Sequence, residues 1–467
     1  ASNNTASPTT ATPTSGGGLT INATGAGDKG AYVSGSLISY GPMSITARTT
    51  AAADGLYVAG SGVFRSVGAL TIDASTTGAG TGFVLESGRI IQSTAGNISV
   101  TGVGNVGMYM NGSILASNDT SGSTTATPSS GGTLTINTTG RSTYGLEIGA
   151  GSLVSNGAMS VTSNSAGIAM YLHGAGGIKS NGNITLSASS TNNNWSMYLI
   201  DSRNIQSVGG NITLTSDGKY GIYLYVGSIA AVNDLTTPTS GGTVTINSTS
   251  SANDITGAAL RMDANSTKII SWGDLSIYAN GAAGGLGVAN QQGHGVILYG
   301  SYQAIQSYNG ALSITGYANH DVGGVNNWAN ISGGITLWDG TSNLRAKGNL
   351  TLNGVSAGGI GAYFTWTGPA GGGITSDTGN ITINGISNNS AYAGTYIRLP
   401  VLASAGSVSI SGASAGTDGG VIQQWSGSVS AKYDVSIAGY STAGYGISLW
   451  SGSVASSDGT ITLSGYT

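Results

Sequence analysis

One short pattern, repeated sixteen times, restricts what this chain can fold into. Each copy reads apolar, Ser or Thr, apolar, and usually follows Gly, Asn or another small residue. The first four are Leu19-Thr20-Ile21, Met43-Ser44-Ile45, Leu70-Thr71-Ile72 and Ile98-Ser99-Val100, and the last is Ile461-Thr462-Leu463. Successive copies start 24 to 38 residues apart, a period typical of solenoid repeats. Two more apolar segments lie between each pair of copies. We term the triplet strand A, segments such as Gly55-Leu56-Tyr57-Val58 strand B, and segments such as Ile90-Ile91-Gln92-Ser93 strand C. Equivalent strands can all sit beside their copies only if the chain coils, A on A, B on B and C on C. The sequence therefore predicts an all-β, right-handed parallel β-helix of about 15 rungs with three short strands per rung. At about 4.8 Å per strand, such a coil is a rod on the order of 70 Å long.

The alternation within the strands agrees. In A, the two apolar residues point inward and the hydroxyl outward. In B, Leu56 with Val58, Met108 with Met110, and Met197 with Leu199 form the inward pairs. Gly-Asn dipeptides such as Gly96-Asn97, Gly210-Asn211 and Gly379-Asn380 mark corners, which need either positive φ or tight stacking.

Composition excludes several classes. Charged residues are 7% of the chain, with 14 Lys+Arg against 18 Asp+Glu. No basic face is available to neutralise phosphates, so nucleic acid is not an expected partner. No apolar run is long enough for a transmembrane helix, and the absence of cysteine excludes disulfides and Cys-ligated metals.

A second period overlies the first. Thr/Pro/Ser loops precede the first, fifth and ninth A strands: Thr5 to Gly18, Asp119 to Gly132, and Asp234 to Gly242. We expect one continuous β-helix over 1–467, with two duplicated four-rung blocks in 1–250. Rungs with longer loops fill 251–375, and regular rungs fill 376–467. Most tryptophans fall after residue 250: Trp272, Trp328, Trp338, Trp366, Trp425 and Trp450. Leu19 and Ile461 open strands as apolar as any internal one, so open, uncapped ends are expected. They would stack on copies of the chain or on further rungs of a longer one.

The A motif and its Gly/Asn lead-in resemble the repeats of filamentous-haemagglutinin-like adhesins, secreted bacterial β-helical proteins. The resemblance implies a structural rod of an extracellular bacterial or archaeal fibre or giant surface adhesin. Its outer faces would be adhesive or self-associating, with host or matrix glycans as partners. The alternative is a polysaccharide-processing lyase or hydrolase, since such enzymes also use β-helices. That chemistry needs convergent carboxylates, whereas Asp54, Asp119, Asp201, Asp234, Asp377 and Asp458 are scattered through turns. His173, His294 and His320 lie in different rungs and read as solvated residues in or beside loops. No catalytic residue, metal or cofactor is therefore assigned.

The main candidate site is a stripe of tyrosines at the centre of strand B: Tyr32, Tyr57, Tyr109, Tyr171, Tyr198, Tyr223, Tyr363 and Tyr396. Alternation puts these rings outside, as a binding or packing stripe for sugar rings or a neighbouring rod. The simpler reading is that tyrosine suits an exposed strand. The hydroxyl column of strand A invites an ice-binding reading, but the next outward position varies (Asn22, Thr46, Asp73, Tyr278, Ala438), which favours a plain solvated ladder. Fifteen Asn-x-Ser/Thr sequons permit glycosylation without indicating it, because the Gly-Asn corners generate many of them.

Overall fold

The structure is a computed structural model, which describes residues 14–118, 128–192, 194–201, 203–251, 258–263, 267–281, 294–300, 304–318, 333–338, 342–365, 372–424 and 427–467. His320, Trp328, Trp366, Trp425, Asp119 and much of the first two Thr/Pro loops lie outside these residues.

The fold is an all-β, right-handed solenoid of about 14 turns with three strands per rung, and no helix occurs among the described residues. The A, B and C strands form three sheets of 16, 15 and 15 strands, in which every third strand of the chain is a neighbour. Strand contacts divide the chain into two units, Ala1–Thr215 with Gly227–Gly241, and Ser216–Val226 with Gly242–Thr467.

In both units the pairing is parallel and stacks like over like. In the first, Leu19 lies beside Met43 and Ile21 beside Ile45. In the second, Leu350 lies beside Ile381 and Leu352 beside Ile383. Among the described residues, the one antiparallel contact outside the strands is the isolated bridge between Val232 and Gly241.

The A strands are longer than the triplet suggests. Met43–Thr49 and Leu350–Ser356 each bury their first, third, fifth and seventh residues and leave the even ones half-buried or exposed. The apolar triplet fills the core, where each aliphatic side chain contributes about 1.5–3 kcal/mol of burial, largely offset by the entropy of ordering the rung. The fifth and seventh positions take only small residues, such as Ala47 and Thr49, or Gly354 and Ser356.

Polar groups join one rung to the next at the corners. Serines closing the C strands are buried and donate to a glycine carbonyl one rung back: Ser93 to Gly68 O (2.8 Å), Ser207 to Gly182 O (2.8 Å) and Ser376 to Gly348 O (2.7 Å). Each then accepts the amide of the following corner glycine, as Ser207 does from Gly210 N at 3.0 Å. The corner asparagines bond forward, Asn97 Oδ1 accepting Thr133 N and Asn349 Oδ1 accepting Asn380 N, both at 2.9 Å. Of the two reasons for Gly-Asn corners, tight stacking is the one that applies. The corner glycines avoid positive φ, but a Cβ on Gly96 would lie 2.4 Å from Ala69 N, and one on Gly379 would lie 2.4 Å from Asn349 N.

The three Thr/Pro loops return to the coil in the same conformation. Gly16, Gly131 and Gly241 have φ of 138°, 137° and 152°. Asn118 Oδ1 accepts Ser129 N and Ser130 N, both at 3.2 Å, and Asn233 Oδ1 accepts Thr239 N and Ser240 N at 3.0 and 3.1 Å.

Candidate functional site: the outer ladder of sheet B

Within each unit, strand B places the tyrosines of the predicted stripe on one register position. In the first unit the ladder runs Tyr32, Tyr57, Val84, Tyr109, Glu147, Tyr171, Tyr198. In the second it runs Tyr223, Arg261, Ile297, Thr336, Tyr363, Tyr396, Ile422.

The first unit keeps its rings accessible. Tyr32 is 60% exposed and stacks on the half-buried Tyr57, with ring centroids 5.7 Å apart. Tyr171 lies between Tyr144 (5.3 Å) and Tyr198 (5.4 Å), and the His173 imidazole stacks on it at 4.5 Å. The Tyr32–Tyr57 and Tyr171–Tyr198 spacings follow from the rung repeat, since parallel strands about 4.8 Å apart hold identical side chains at stacking distance. The Tyr57 hydroxyl donates to Glu86 Oε1 at 2.5 Å, and this bond raises its pKa to about 12. Burial raises the pKa of Tyr171 as well. The face is therefore phenolic, with the carboxyl groups of Glu86 and Glu147 set among the rings.

Rung stacking also pairs residues far apart in sequence. Glu147 Oε1 and His173 Nε2 are 3.1 Å apart. Asp201 Oδ2, one rung further, accepts Gly174 N at 3.2 Å. His173 is thus a partly buried member of an outer cluster, not the solvated residue expected from sequence. Behind it lies Arg203, buried, donating to Gly151 O and Ile148 O at 2.9 Å each and to His173 O. Burial lowers the Arg203 pKa to about 10, with Asp201 opposing, so it stays protonated at neutral pH.

The second unit differs. The Tyr223 hydroxyl donates to Asp263 Oδ2 at 2.9 Å, and the Arg261 guanidinium lies over the Tyr223 ring at 5.5 Å while pairing with Asp263 at 2.7 Å. Tyr363 and Tyr396, expected to be open, are each only 4% exposed. Tyr392 and Ala393, from the segment between the A and B strands of that rung, pack over them with Ile360, Ile422 and Trp338. The Tyr396 hydroxyl is engaged by Gln424 Oε1 at 2.6 Å. The signal for this cover was Tyr392, an aromatic residue in an Asn/Ser/Ala/Gly stretch.

His294 is likewise not in a solvated loop. It opens strand His294–Tyr299, is buried, and accepts Gly333 N at Nδ1 (3.2 Å). Burial lowers its pKa to about 4.

Comparisons with protein-family models, with curated proteins and with solved structures give no match. Among the described residues, no helix is long and apolar enough to cross a membrane.

Proposed function

We propose that the chain is a structural rod of an extracellular bacterial or archaeal fibre or giant surface adhesin, similar in kind to the filamentous-haemagglutinin-like proteins. The observation that carries this reading is the register. Equivalent strands pair in parallel register in all three sheets within each unit, and corner hydroxyls and amides bond from rung to rung, so length is added by repeating one kind of contact. The stacked tyrosines of the first unit support adhesive or self-associating sides. Axial stacking on further rungs or on copies of the chain is part of the proposal.

Negative-stain imaging of the native material tests the rod. Long, unbranched fibres of a single protein species are expected, and a monodisperse monomer would overturn the reading. The tyrosine face has its own test, the double substitution Tyr171→Ser with Tyr198→Ser. It should weaken lateral association or glycan adhesion about tenfold at an unchanged circular dichroism spectrum. Unaltered binding would remove the face from the proposal.

The Glu147–His173 pair beside Tyr171 favours one alternative, a polysaccharide-processing enzyme. On that reading the chain releases new saccharide ends from a polysaccharide and Glu147→Gln abolishes the release. Activity that survives this substitution would exclude the pair.

A further inference from the structure

The outer face of sheet A in the second unit carries a groove that the rod reading does not use. It encloses about 550 Å³ across successive rungs, within the range of small-ligand sites. Its cause is local. In successive A strands the fifth residue is glycine: Gly354, Gly385, Gly412 and Gly439. Each faces a glycine of the following B strand or of the turn leading into it, so the two backbones meet with no side chain between them. A Cβ on Gly354 would lie 2.1 Å from Gly361 O, one on Gly412 1.9 Å from Gly420 O, and one on Gly439 1.8 Å from Gly446 O. The trough lies over these glycines, between the outward columns on either side.

The two walls differ in chemistry. One is an amide and hydroxyl ladder, in which Asn384 Nδ2 donates to Asn353 Oδ1 at 2.8 Å and Ser411 Oγ donates to Asn384 Oδ1 at 2.6 Å. The two amides carry four N–H donors, and the ladder uses one. The other wall is apolar and open: Ile386 is 42% exposed and Tyr440 50%. None of the lining residues is charged.

We infer that this groove is a binding site for a neutral glycan chain lying along the coil. A pyranose ring has an apolar face that suits the tyrosine and isoleucine wall and hydroxyls that suit the amide ladder. Its repeat along a linear chain matches a site built of repeated rungs. An acidic polysaccharide would find no cation in the lining. The inference does not depend on the fibre reading, which imaging decides.

The test is titration calorimetry of the full chain with neutral hexasaccharides of glucose, mannose and N-acetylglucosamine, and with a galacturonate hexamer as the charged control. At least one neutral hexamer should bind and the acidic one should not. Tyr440→Ala and Asn384→Ala should each weaken binding about tenfold at an unchanged melting temperature. Ala438→Trp, which fills the trough from its outer side, should abolish it. Failure of all three neutral hexamers to bind, equal binding of the acidic one, or binding that survives these substitutions overturns the inference. So does a concentration-dependent dimer lost in Ala438→Trp without sugar binding, which would assign the groove to a second copy.

Discussion

Arg203 and His294 show how burial sets the behaviour of single residues here. Arg203 donates to carbonyls of earlier rungs that have turned away from water. Replacing it by methionine keeps the apolar stem but leaves those carbonyls without their donor, so Arg203→Met should cost about 2–4 kcal/mol of stability. Denaturant unfolding measures this, and Arg203→Lys should recover part of it because an ammonium replaces some donors but not the planar fork. His294 is buried too, and burial disfavours its charged form. Its folded-state pKa of about 4 lies below the ordinary 6.5, so the unfolded chain takes up the proton first as pH falls. Stability should drop between about pH 6.5 and pH 4, by about 3 kcal/mol at the limit, and change no further from this source below pH 4. His294→Asn offers Gly333 N an acceptor that does not titrate, so comparing midpoints at pH 7 and pH 4.5 should show a smaller fall in the variant.

The strand elements owe their form to two alternations laid over each other. The triplet apolar–Ser/Thr–apolar specifies which face of strand A is buried, and period-2 geometry makes that readable from sequence. The second half of each strand was not readable in the same way. Its inward positions are chosen for smallness, and their reason lies across the corner in strand B. Gly412 illustrates this, with a would-be Cβ 1.9 Å from the backbone oxygen of Gly420, an atom that no rotamer change can move. Gly412→Ala should therefore destabilise the second unit by about 3 kcal/mol. The outward Ser411→Ala should cost under about 1 kcal/mol. Thermal melts of the two variants separate a packing glycine from a hydroxyl ladder. The tyrosine stripe was legible as a register position, because the spacing of strand B is regular. Its exposure was not: Tyr363 and Tyr396 are covered by Tyr392 from the same rung as Tyr396, and a loop's path over a sheet is not encoded in the pattern of that sheet.

At the scale of the whole molecule the repeat makes rungs interchangeable. Removing 381–407 joins Asn380 to Val408, which occupies the same register position as Ile381. The shortened chain should remain folded with an unchanged circular dichroism signature, and its coil should be shorter by about 4.8 Å. Loss of all β structure in this deletion would mean that the rungs are not equivalent units. Taken by itself, the sequence determined the three-strand rung, the parallel stacking and the identity of the core, because these depend on alternation and period within the chain. Only the tertiary structure decided the pairing of Glu147 with His173, the burial of His294, the cover over Tyr363 and Tyr396, and the trough in sheet A. Each of these depends on which residues of neighbouring strands overlie one another, and rungs of 24 to 38 residues reach that overlap through loops whose lengths differ from turn to turn.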